Sequence, residues 1–113
     1  MLKRLSNRKY LNLLTGSARK LAVEKLSRVG ISPYVFTYIL TAEDGSKSTG
    51  EMYQKWMAKW KGISAEEFLY VGDNKKSDVD ALKSLEIKTC FVGEYANADF
   101  QIKNILDLEG LIE

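Results

Sequence analysis

FLYVGDNKKSDVD, Phe68 to Asp80, is the stretch from which the rest of the chain can be read. It opens on a short apolar run, Phe68-Leu69-Tyr70-Val71, with the length and composition of a buried strand. Gly72 breaks the run, and Asp73 follows it directly. A polar loop comes next, and Ser77 with Asp80 three residues later has the form of a helix start. This reading delivers Asp73 to the carboxyl end of a strand and Asp78 to the first turn of the next helix. In open α/β sheets that edge is where ligands bind. Two converging carboxylates there suit a hard divalent cation such as magnesium, which takes oxygen ligands. A plainer reading also fits the segment: Asp73 as a turn residue and Asp78 as a complement to the helix dipole.

The bulk properties limit what surrounds this stretch. The chain has 113 residues, 45% of them hydrophobic and 28% charged, which predicts one globular domain, residues 1–113, with one core. The single cysteine, Cys90, sits in an apolar run and has no internal partner for a disulfide, so it reads as a small buried hydrophobe in a reducing, cytoplasmic setting. There is no histidine, which excludes His-based triads, His-ligated zinc and a His general base. No apolar stretch approaches the length of a membrane span, and the first 20 residues hold no signal-peptide core. The net charge of +2 is unevenly spread: residues 1–61 carry 12 basic and 4 acidic side chains, residues 62–113 carry 5 and 11. The basic half contains no recognisable nucleic-acid motif, so a solvated helix or a protein interface is the reading preferred over RNA or DNA binding.

Outward from the central stretch, the pattern alternates. Leu2 to Lys9 predicts a short amphipathic helix, and Tyr10 to Thr15 a strand ending at Gly16-Ser17. The spacing of Ala18, Leu21, Ala22, Leu26 and Val29 is helical, with Gly30 as its stop. Pro33 introduces a second strand, Tyr34 to Leu40, followed by a polar loop through Glu43, Asp44 and Lys47. Ser48 and Glu51 form a capping box for a helix that places Met52, Tyr53, Trp56, Met57 and Trp60 on one face, a core stripe. Ser64 and Glu67 cap at most one turn before the Phe68 strand. After Ser77, Val79, Leu82 and Leu85 point inward. Ile87 to Val92 is a further strand ending at Gly93-Glu94, Ala98 to Ile102 an extra strand or loop, and Ile105 to Ile112 a closing helix. Apolar strands alternating with amphipathic helices predict a doubly wound α/β domain with a parallel sheet covered on both faces. Small or acidic residues at the four strand ends predict an edge that holds a cation and an anion.

At these residues the chain resembles the haloacid dehalogenase superfamily, mostly magnesium-dependent phosphatases and phosphotransferases. Leu13-Leu14-Thr15-Gly16-Ser17 is similar to the family's second motif, and the resemblance implies that Thr15 hydrogen-bonds the phosphoryl group, with Gly16 and Ser17 completing the phosphate loop. Lys47 stands where the third-motif lysine would offset developing charge. Gly72-Asp73 to Asp78 is similar to the fourth motif, GDxxxxD, which implies magnesium held by Asp73 directly and by Asp78 directly or through water. The implied function is a phosphatase-type phosphoryl-transfer site acting on a phosphorylated small molecule. The chemistry is consistent, because phosphoryl transfer needs positioning and charge neutralisation more than acid–base groups.

One departure is large. The family begins with a strand ending in DxDx(T/V), whose first Asp is the nucleophile, and residues 1–14 contain no Asp or Glu. Asp78-Val79-Asp80 has the spelling but belongs to the fourth motif. The resemblance therefore implies a truncated core, the C-terminal portion of the family fold with its first strand missing, that is inactive alone. The alternatives are a non-catalytic phosphate- and magnesium-binding or interaction module, or a response-regulator-like signalling domain. In the family the missing strand lies between those matching Tyr10–Thr15 and Phe68–Val71. That predicts direct pairing of the two, or a homo-oligomer or partner chain that fills the slot.

Overall fold

The computed structural model describes residues 9–111. The helix expected over Leu2 to Lys9 lies, except for Lys9, outside the described residues, as does Ile112 at the end of the expected closing helix. The chain forms two compact units, Met1–Ser46 and Lys47–Glu113.

In the first unit, β1 (Asn12–Leu14) runs parallel to β2 (Tyr38–Leu40), with Leu13 opposite Ile39. Backbone bonds from Thr37 N–H to the Leu11 carbonyl and from Thr15 N–H to the Leu40 carbonyl extend the pairing at both ends. Between the strands runs α1 (Arg19–Arg28), which buries Ala22 and Leu26. The helix stops as expected, with Gly30 at φ +72°, in the left-handed region glycine tolerates. The second strand is shorter than the sequence suggested. Ser32 caps a 3₁₀ turn, Pro33–Val35, accepting the Tyr34 N–H on its hydroxyl, with Pro33 at the first turn position. Proline has no N–H to give a ladder but suits the start of a turn, so the strand begins only at Tyr38.

The second unit opens on α2 (Glu51–Lys59). Its N-cap is Gly50, in the left-handed region at φ +81°, rather than Ser48, where the expected capping box would have started the helix. Met52, Tyr53 and Trp56 are buried as the stripe required, whereas Trp60 lies just past the helix end. Trp56 packs edge-on against Phe68, ring centroids 4.8 Å apart. A 3₁₀ turn, Ala65–Glu67, leads into β3 (Leu69–Gly72), the strand that opens the central stretch. It pairs in parallel with β4 (Lys88–Val92), and β4 in parallel with β5 (Phe100–Ile102), which settles the extra segment as a strand. The connection between β3 and β4 consists of α3 (Lys75–Asp78) and a 3₁₀ stretch, Asp80–Leu85, with Val79 and Leu82 fully buried. A 3₁₀ turn, Ile105–Asp107, runs into α4 (Leu108–Leu111).

The five described strands thus form a two-stranded and a three-stranded sheet, and every pairing is parallel. Cys90 is buried on β4, and burial pushes its thiol pKa up, as befits a core residue.

Candidate phosphoryl-transfer site

The loop between β3 and α3 is built around Asp78. Asn74, not Ser77, is the N-cap: its side-chain carbonyl accepts the N–H groups of Lys76 and Ser77 at 3.1 and 3.0 Å. The expected start was therefore displaced by three residues, because an Asn side chain reached the free amides first. With the turn fixed this way, the Asp78 carboxylate folds back over the strand end. Its Oδ2 accepts the backbone N–H groups of Asp73 at 3.2 Å and Asn74 at 3.0 Å. Its Oδ1 accepts the Lys47 ammonium at 3.2 Å and faces the Ser77 hydroxyl at 3.4 Å. Asp78 is 5% exposed, and four donors surround it.

Gly72 makes this fold-back possible. A Cβ there would lie 2.3 Å from Asp78 Oδ2 and 2.4 Å from its Cγ. The glycine is required by the carboxylate that lies on it, a reason the sequence alone did not supply.

Asp73 is exposed, at the carboxyl end of β3, and only its backbone is tied to Asp78. The two acids of the motif therefore have different surroundings. Asp78 is held by protein donors, and Asp73 presents its carboxylate outward. Lys47 joins them from the turn before α2, its carbonyl accepting the Gly50 N–H. The Lys47–Asp78 ion pair spans 31 residues of sequence. The Lys47 side chain is 19% exposed and its ammonium stands 5.4 Å from the centroid of the Tyr70 ring.

Two buried tyrosines line the far side of this pair. Tyr53 donates its hydroxyl to the Ser77 carbonyl, and its ring meets that of Tyr70 edge-on at 5.1 Å. Burial first, then the charge of Asp78, pushes the Tyr53 phenol above its ordinary value of 10.0. Burial, then Tyr53 and Asp78, does the same for Tyr70. Both remain protonated donors at neutral pH. The sequence places Tyr53 in the core and Tyr70 on its strand; the contact of Tyr70 with Lys47 and of Tyr53 with the Ser77 carbonyl is visible only in three dimensions.

The first unit carries the other expected residues. Thr15 Oγ1 accepts the Ser17 N–H at 3.2 Å, and the Ser17 hydroxyl accepts the Lys25 ammonium at 3.0 Å. Gly16 is exposed, and a Cβ on it would meet nothing within 4 Å. The acids at the end of β2 are not free to receive a ligand. Thr41, fully buried, and Asp44 form a reciprocal capping box, the Thr41 N–H donating to Asp44 Oδ2 at 2.8 Å. Glu43 accepts the Thr41 hydroxyl at 2.8 Å and the Arg19 N–H at 3.1 and 3.3 Å. The Thr41 hydrogen bond, above all, holds the Glu43 carboxyl below its ordinary range. Glu43 thus supplies the negative charge at the start of α1, a place where the sequence had suggested a phosphate.

The chemistry of the donors bears on magnesium. Among the described residues no group of three or more His, Cys, Asp or Glu side chains converges as a metal cage. Magnesium binds through one or two carboxylates and keeps waters and substrate phosphate for its other positions. Asp73 fits that demand as it stands, whereas Asp78 already accepts protein donors on both oxygens.

The crossover loop after a parallel strand thus sets an exposed carboxylate beside a buried lysine–carboxylate pair, and comparison with known proteins gives the family. The haloacid dehalogenase-like hydrolase profile matches residues 1–86, and the chain belongs to that family. It is 30% identical over 98 residues to the glyceraldehyde 3-phosphate phosphatase of Methanocaldococcus jannaschii, a match covering 80% of this chain and 43% of that protein. The magnesium-bound HAD-hydrolase YfnB of Bacillus subtilis superposes with a TM-score of 0.86 at 20% identity, over 98% of this chain and 51% of that one. A HAD phosphatase from Thermococcus onnurineus gives 0.80 at 21% identity, over 98% and 54%. The fold is therefore the doubly wound α/β type of this family, and the chain spans about half the length of these relatives.

Proposed function

We propose that residues 1–113 form one core domain that carries the metal- and phosphate-holding half of a magnesium-dependent phosphoryl-transfer site, for a phosphorylated small molecule in the cytoplasm. The observation that supports this reading most is the Lys47–Asp78 pair beside the outward carboxylate of Asp73. Asp73 is the residue that would hold magnesium, and magnesium when bound would neutralise phosphate charge. Asp78 orients the Asp73 loop through two amides and holds Lys47, whose ammonium meets the phosphoryl oxygens. Thr15 supplies a hydroxyl and Gly16 and Ser17 the rest of the phosphate loop. The open space at Gly16 leaves room for a phosphate oxygen close to the backbone.

In this proposal the nucleophilic carboxylate comes from outside these 113 residues, because residues 1–14 offer no acid. A further strand, from a second copy or a partner chain, would bring it. The chain by itself is then a binding domain rather than an enzyme. The same lack of an acid also favours the second reading, a phosphate- and magnesium-binding or interaction module that never turns over.

Hydrolysis of a generic aryl phosphate with magnesium, wild type against Asp73→Asn, tests the first reading. The expected result is no turnover by the isolated chain above the Asp73→Asn background. Thermal stability should nonetheless rise with magnesium and phosphate together, by about 2.7 kcal/mol at a hundredfold excess over the dissociation constant. That rise should vanish in Asp73→Asn. Turnover dependent on both magnesium and Asp73 would overturn the inactive-alone reading, and an unchanged wild-type melting curve would remove the pocket itself.

A further inference from the structure

We infer that Tyr70, braced by Tyr53, is a positioning residue that fixes where Lys47 presents its charge. The inference rests on the reading of Lys47 as the phosphate-facing cation and adds what holds it in place. A lysine ammonium is a point charge on a four-carbon stem, and alone it has no preferred direction. Here it is confined from two sides. The Asp78 carboxylate lies 3.2 Å away, and the Tyr70 ring 5.4 Å from ammonium to centroid.

The ring itself cannot drift. Tyr70 sits on β3, in register opposite Thr89 of β4, and is 8% exposed. Tyr53 stands edge-on to it at 76° and Trp56 at 67°. Tyr53 in turn is fully buried and donates its hydroxyl to the Ser77 carbonyl, the peptide immediately before Asp78. One aromatic brace therefore touches both members of the pair: the ammonium through the Tyr70 face and the Asp78 turn through the Tyr53 hydroxyl. The aromatic face of Tyr70 stands over the ammonium, and phenylalanine should keep that contact where an aliphatic residue should not.

Proton–carbon NMR of the full chain tests this without requiring turnover. In the wild type the Lys47 ε-methylene should be shifted upfield by the Tyr70 ring current and show cross-relaxation to its ring protons. Tyr70→Phe should keep both signatures, and Tyr70→Leu should lose them while the Asp73 and Asn74 amide signals stay in place. Binding of inorganic phosphate with magnesium, measured by calorimetry, should be within about twofold of wild type in Tyr70→Phe and about tenfold weaker in Tyr70→Leu. A Lys47 methylene without an upfield shift in the wild type would overturn the inference, a measurement that stands even if Tyr70→Leu fails to fold. So would equal phosphate affinities for Tyr70→Phe and a folded Tyr70→Leu. Absence of phosphate binding by the wild type would instead overturn the phosphoryl-site reading, and the ring-current shift would still decide whether Tyr70 holds Lys47.

Discussion

Gly72 and Asp78 depend on each other at the scale of single residues. The carboxylate lies where a Cβ on residue 72 would be, 2.3 Å from Oδ2, and both backbone amides at the strand end point at it. Gly72→Ala should therefore push Asp78 off its donors and destabilise the protein by about 1–3 kcal/mol, read from the urea midpoint. Asp78→Ala should cost more, about 3–5 kcal/mol, because it leaves the partly buried Lys47 ammonium without its counter-charge. Glu43 sets a pH dependence. Its carboxyl titrates below its ordinary value of 4.5, chiefly through the Thr41 hydroxyl. A depressed carboxylate contributes stability that is complete above the unfolded value and is lost as pH falls through the folded one. Acid titration followed by circular dichroism should show stability falling below about pH 4.5, less steeply in Glu43→Gln, and no change in slope between the two proteins near neutrality.

At the scale of elements, α3 is a single turn, Lys75–Asp78, and its existence depends on one side chain. A four-residue helix has no interior to stabilise it, so the Asn74 cap is its main local support. Asn74→Ala should lower stability by about 1 kcal/mol and loosen the Asp73 amide. Hydrogen exchange at Asp73 and Asn74, faster in the variant than in the wild type, would report that loosening. The shortness of the elements also explains what could be read beforehand. β3 and β4 were legible from their apolar runs, and Ser64 to Glu67 as a lone turn. The cap of α3 was not, because Ser77 and Asn74 are both good caps and only the path of the chain after Gly72 chooses between them. The Pro33 segment reads as strand from its β-branched and aromatic residues, but Pro33 and the Ser32 cap turn its first residues into a 3₁₀ turn.

On the scale of the whole molecule, the two halves of the sequence have different charge, +8 in residues 1–61 against −6 in residues 62–113. That asymmetry, with parallel strands that need partners along both edges, underlies the proposal that a second copy or a partner chain adds a strand. Light scattering at micromolar concentration should return a mass above that of a 12.8 kDa monomer, and raising the salt should shift the balance back toward it. A single monomeric mass at low salt would sink the self-association arm. Among the described residues no helix is long and apolar enough to cross a membrane.

The sequence by itself determined the alternation of strands and helices and the parallel class, because periodicity and turn residues are local signals, while the resemblance to the family singled out Thr15, Lys47, Asp73 and Asp78. Only the tertiary structure decided what those residues do to one another. It paired Lys47 with Asp78 across 31 positions, set Tyr70 and Tyr53 behind them, and used Glu43 to cap α1 rather than leave it for a ligand. The two acids of one motif became a buried hub and an exposed carboxylate for the same reason. Which carboxylate finds backbone donors depends on how the loop closes over Gly72, and that closure is a property of packed strands rather than of residue order.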